Sequence, residues 1–110
     1  MTTPVTAKES IEALPLLFQP DKAKGINATF QFELTGEGGG TWVVRVAEGQ
    51  CTVAEGGIDR PSATISMEAA DYVAITQGKL DMARAFMGGK IKVKGDMGLI
   101  MRLPALFKLG

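Results

Sequence analysis

A chain of 110 residues, 45% of them hydrophobic and with no net charge, has room for one core, so a single domain over residues 1–110 is expected. The absence of histidine and the presence of one cysteine exclude Ser-His-Asp and Cys-His catalysis, histidine-held zinc and an internal disulfide. Charge is uneven: residues 79–108 hold seven basic and two acidic side chains, a net +5, and the remainder carries −5. That asymmetry suits either an anion- or membrane-facing end or a solvated surface.

The opening MTTPVTAKES has neither the positive start nor the apolar run of a signal peptide. No stretch approaches the roughly 20 apolar residues of a bilayer span. With a lone thiol these features suit a reducing, cytoplasmic setting. Ile11, Leu14, Leu17 and Phe18 follow with helical spacing, and Pro15 inside the pattern predicts a late start or a kink. ATFQFELTG alternates with Phe30, Phe32 and Leu34 on one face, and TWVVRVA repeats the pattern with Trp42, Val44 and Val46. Glu48-Gly49 predicts a tight hairpin into a third strand through Cys51 and Val53, and ATISM predicts a fourth through Ala63, Ile65 and Met67.

Ser66 reads as an N-cap for a helix whose apolar face is Ala69, Tyr72, Val73 and Thr76, with Gly78 as its stop. Asp81 caps a shorter helix, MARAFM, broken by Gly88 and Gly89. KIKVKG predicts a fifth strand with Ile91 and Val93 inward and Lys90, Lys92 and Lys94 outward. Asp96 caps a last helix, MGLIMRL, ended or bent at Pro104. The class is α+β: a five-stranded, mostly antiparallel sheet, mixed where the long crossover before the fifth strand permits it, with helices on one face.

No chemistry emerges from this pattern. Asp71, Asp81 and Asp96 each have a capping or first-turn explanation, and Cys51 sits at an inward strand position as a small buried thiol. GEGGG precedes a strand rather than a helix, which suits a hairpin connection and not a phosphate loop. The lysine stripe has no interleaved aromatics, so nucleic acid is not an expected partner. What stands out is apolar: Met67, Met82, Met87, Met97 and Met101 crowd the last 45 or so residues with Phe86, Leu106 and Phe107. Such side chains either fill a core or wall a site for irregular apolar guests.

The segment TQGKLDMARAFMGGKIKVKGDMGLIMRL, residues 76–103, resembles the signature of the sterol carrier protein type-2 family. Its Gly78-Lys79-Leu80, Ala85-Phe86 and the run from Gly89 to Leu103 stand in the family's order. NATFQFELTGEGGGTWVVRV and PSATISMEAADYVAI are similar to the family's first hairpin and its fourth strand with following helix. The chain departs from some relatives at Met82, where they place a proline, and at Gly88, where they carry a polar side chain.

The resemblance implies an apolar tunnel between sheet and helices that holds a sterol, fatty acid or fatty acyl chain without transforming it, and no cofactor. Lipid-binding candidates implied by position are Phe32, Trp42 and Val44 from the sheet and Tyr72, Val73 and Thr76 from the middle helix. From the C-terminal region they are Phe86, Met87, Ile91, Val93, Met97, Leu99, Ile100, Met101, Leu103 and Phe107. The last segment, Met97 to Phe107, is expected to act as wall and partial gate. Lys108-Leu109-Gly110 is not a peroxisomal targeting tripeptide, and the chain looks more like stand-alone microbial members. A monomer or weak homodimer with transient contact to anionic membrane is expected. A docking or dimerisation module, or a lipid-presenting accessory subunit of an acyl-chain enzyme, is the alternative.

Overall fold

The computed structural model describes residues 6–107; Lys108 and the C-terminal tripeptide considered above lie outside them, as do residues 1–5. Five strands, β1 (Ala28–Thr35), β2 (Gly40–Ala47), β3 (Gln50–Glu55), β4 (Ala63–Glu68) and β5 (Lys92–Gly95), form one sheet ordered β3-β2-β1-β4-β5. The helices are α1 (Ala7–Glu12), α2 (Leu14–Leu17), α3 (Ala69–Thr76), α4 (Met82–Met87) and α5 (Met97–Leu106). The architecture is α+β with a mixed sheet.

Alternation positions the core. Ala28, Phe30, Phe32 and Leu34 of β1 are buried, and each faces a partner on β2 in antiparallel register, Phe30 on Val44 and Phe32 on Trp42. The β2–β3 turn holds Glu48 at φ 54° and Gly49 at φ 72°, the two left-handed positions a two-residue hairpin requires. β4 lies parallel to β1, placing Ile65 beside Phe32. The mixed pairing therefore enters between β3 and β4, where residues 56–62 recross the sheet and Ile58 N donates to Gln31 Oε1. The long crossover before β5 instead delivers an antiparallel pair, with Val93 opposite Ile65.

Local expectations are corrected at four places. Pro15 neither delays nor kinks a single helix: the chain breaks at Ala13, and Pro15 enters the first turn of a second short helix, where no N–H is missed. Ser66 is not a cap but a β4 residue whose hydroxyl donates to Glu33 Oε1 on the neighbouring strand; α3 starts after Glu68 without a side-chain cap. Lys90 is outside β5 because its N–H closes the end of α4 on the Ala85 carbonyl. α5 does not end at Leu103 but runs through position 104 to Leu106. Asp81 and Asp96 do cap α4 and α5, accepting from Arg84 N and Leu99 N.

Gly95 closes β5 at φ 94°, and a Cβ there would stand 2.5 Å from the Ser62 carbonyl oxygen. Both the backbone conformation and the space demand glycine, so Gly95→Ala is expected to cost about 3 kcal/mol in chemical denaturation. A loss under about 0.5 kcal/mol, the usual surface range, contradicts that close approach.

Candidate functional site

The helix-covered face of the sheet is not filled evenly. On the β1–β2–β3 side, Phe30, Val44 and Val46 are sealed in a core that also holds Ile11 of α1. On the β4–β5 side α3, α4 and α5 surround a cavity of about 380 Å³. Its floor is Phe32, Ile65, Met67, Ile91 and Val93; its walls are Leu14, Tyr72, Met82, Ala83, Ile100, Leu103 and Phe107. Phe86, Met87, Met97 and Met101 complete it. These last four are 44%, 84%, 44% and 76% exposed, so they form an apolar rim where the cavity meets solvent. Large apolar side chains exposed together in this way mark an interaction site rather than ordinary surface.

Local sequence explains the rim. The capping carboxylates of Asp81 and Asp96 each start a helix at the cavity edge. Helical spacing then puts Met82 and Phe86 on one side of α4, and Met97, Ile100 and Met101 on one side of α5. The far end of α5 is anchored. Leu106 and Phe107 are fully buried, Gln19 donates from its backbone N–H to the Leu106 carbonyl and from Nε2 to the Ala105 carbonyl, and the Phe18 and Phe107 rings meet at 5.7 Å. Met97, Met101 and Arg102 of α5 are thus exposed, whereas Leu103, Leu106 and the following Phe107 belong to the core.

Of the residues expected to face a ligand, Phe32, Tyr72, Phe86, Met87, Ile91, Val93, Met97, Ile100, Met101, Leu103 and Phe107 line this cavity. Trp42, Val44, Val73, Thr76 and Leu99 do not. Trp42 and Val44 are on β2, separated from β4 and β5 by β1. Thr76 donates to the Val73 carbonyl and stands 3.5 Å from Ser10 Oγ, so this side of α3 meets α1. Leu99 lies a quarter-turn away from the Ile100 side of α5. Leu14, Ile65, Met67, Met82 and Ala83 also line it without being among the lipid-binding candidates, although Met67 and Met82 belong to the methionines singled out as core or wall. For Ile65 and Met67 the inward alternation was visible, but not their register beside Phe32 and Leu34 of β1.

The electrostatics are spare. Among the described residues, no lining side chain is charged. The Tyr72 ring stands edge-on to Phe32 at 5.9 Å, and burial raises its phenol pKa above the ordinary value. Cys51 lies away from the cavity on β3, where burial pushes its thiol up to about 11, so almost no thiolate exists at neutral pH. Among the described residues no cluster of His, Cys, Asp or Glu could hold a metal ion, and no helix is long and apolar enough to cross a membrane. Lys92 and Lys94 pair with Ser66 and Thr64, on the sheet face opposite the cavity; Lys90 reaches Asp71 at 4.0 Å.

Residues 11–108 match the SCP-2 sterol transfer family. The chain belongs to that family. Among its family relatives, hydroxysteroid dehydrogenase-like protein 2 of Xenopus tropicalis is 33% identical over 90% of this chain. This chain spans only 24% of that protein's length. A solution structure of palmitated sterol carrier protein 2-like 2 from Aedes aegypti is 27% identical, with a TM-score of 0.74 over 94% of this chain and 93% of that one. A double mutant of the sec-alkyl sulfatase PisA1 of Pseudomonas sp. contains the same fold at a TM-score of 0.81 and 20% identity, over 96% of this chain and 16% of its own.

Proposed function

We propose that this chain is a non-catalytic carrier that holds a sterol, fatty acid or other long acyl chain in the cavity between β4–β5 and α4–α5, and releases it at membranes. The observation that carries the reading is an apolar cavity of about 380 Å³ with a rim of exposed Phe and Met side chains. That volume lies within the range of about 300–1,000 Å³ usual for small-molecule sites. Each methylene withdrawn from water contributes about 0.8 kcal/mol, so a long chain is held without any charged anchor. The palmitated Aedes aegypti relative supports a fatty-acid guest. In the occupied form the cavity is the tunnel between the two layers, and the N-terminal half of α5, Met97 to Arg102, is the part that moves to admit the guest. Native mass spectrometry of protein never exposed to detergent is the test: bound lipid is expected, and empty protein that also fails to take up palmitate refutes the reading.

Membrane approach is assigned to the rim rather than to the lysine stripe. Arg84 and Arg102 are exposed on the two rim helices, whereas Lys92 and Lys94 face away. At about 1 kcal/mol per basic residue near an anionic surface, Arg84→Glu with Arg102→Glu is expected to slow transfer from phosphatidylserine vesicles at least about 30-fold. Transfer from neutral vesicles should be unaffected; equal slowing from both argues against electrostatic approach.

The longer relatives favour a second role for the same cavity, presenting lipid to an enzyme. A lipid-loaded protein that stimulates a partner acyl-chain enzyme, when the empty protein does not, is the expected sign.

A further inference from the structure

Among the described residues, Tyr72 is the only cavity-lining residue whose side chain carries an oxygen or nitrogen. The residue is 4% exposed, and its hydroxyl is buried with no hydrogen-bond partner among the described residues. Buried tyrosine hydroxyls are nearly always paired, and an unpaired one bears a desolvation cost that phenylalanine in the same place avoids. Trp42 Nε1 is unpaired too, but Trp42 is off the cavity wall, so among the described residues Tyr72 is the wall residue with an unpaired buried polar group. The missing partner must be uncharged. Among the described residues no Lys or Arg lines the cavity, so a carboxylate drawn inside would meet no counter-charge from them, whereas at the rim it stays in water.

We propose that Tyr72 donates a hydrogen bond to a single uncharged oxygen at the buried end of the guest, so that the cavity prefers long-chain alcohols, ketones or esters to hydrocarbons of equal length. This rests on the lipid-binding reading and adds an orientation to it: oxygen inward, charged groups at the rim. Burial keeps the phenol protonated, and therefore a donor, throughout the neutral pH range. In the empty form the hydroxyl is sealed from solvent, so an entering guest must displace wall side chains to reach it. The wall is rich in methionine, whose unbranched thioether adapts readily to such shifts.

The test uses 2-dodecanone and dodecane as probes, each titrated against a fluorescent apolar dye in wild type and Tyr72→Phe. The ketone should bind the variant about 3- to 10-fold more weakly, the worth of one net hydrogen bond, and dodecane should bind both proteins alike. Empty Tyr72→Phe should melt at the same or a higher temperature than wild type. Equal ketone affinity in the two proteins, a parallel loss for dodecane, or a lower melting temperature each overturns the inference while leaving lipid binding intact. Failure of the wild type to bind either probe removes both. A measurement without any variant is available because Tyr72 is the single tyrosine of the chain. Its ultraviolet resonance Raman doublet should change on adding 2-dodecanone and not dodecane, and an unchanged doublet with bound ketone overturns the proposal.

Discussion

Ala83→Trp is expected to abolish most lipid binding while leaving the protein folded. Ala83 is exposed on α4, yet it lines the cavity, so a large side chain there extends into the space a guest needs. Excluding even three methylenes, at about 0.8 kcal/mol each, weakens the complex by about 2.4 kcal/mol, or roughly 50-fold. The change in helix propensity costs at most about 0.7 kcal/mol, so the melting temperature should fall by only about 3–5 °C. Palmitate titration and thermal melting of the same preparation separate the two effects. Unaltered palmitate affinity in a folded Ala83→Trp variant places the guest elsewhere, and with it the whole assignment of the cavity fails.

Phe107→Ala carries the largest expected loss of stability. The ring is 2% exposed, bridges to Phe18 and lies next to the backbone bonds that Gln19 makes to α5. Removing a buried phenylalanine costs about 3–5 kcal/mol, a large share of the roughly 5–15 kcal/mol that holds such a domain together. The melting temperature should drop by roughly 15 °C or more. Met101→Ala, on the same helix but 76% exposed, should change stability by less than about 0.5 kcal/mol. This contrast redefines the expected gate. A segment that buries Leu103, Leu106 and Phe107 cannot swing away whole, and truncation before Met97 would remove these three from the fold. Similar, small losses from both substitutions would restore the view of α5 as a detachable flap.

Much of the architecture was legible because it depends on neighbours in the chain. The period-two alternation of β1, β2 and β4, the Glu48-Gly49 turn, and the caps at Asp81 and Asp96 are local choices. Each element then agrees with its own residues. The misreadings occur where a distant group takes over a local one. Ser66 has the right chemistry for a cap, but Glu33 on the neighbouring strand claims its hydroxyl. Lys90 fits the strand alternation, but the end of α4 claims its N–H.

The candidate site divides along the same line. Composition alone determined that this protein lacks the commonest catalytic side chain and concentrates methionine toward its C-terminal end, and alternation determined which side of each strand faces inward. Only the tertiary structure decided which inward residues meet the cavity. Trp42 and Ile65 are equally apolar and equally inward, and they flank Phe32 on opposite sides. Strand order puts one in the core and the other on the floor of the cavity, because β1 separates β2 from β4 and β5, the strands that carry the cavity floor. Strand order is set by contacts between segments far apart in sequence, and no periodicity within a segment records it.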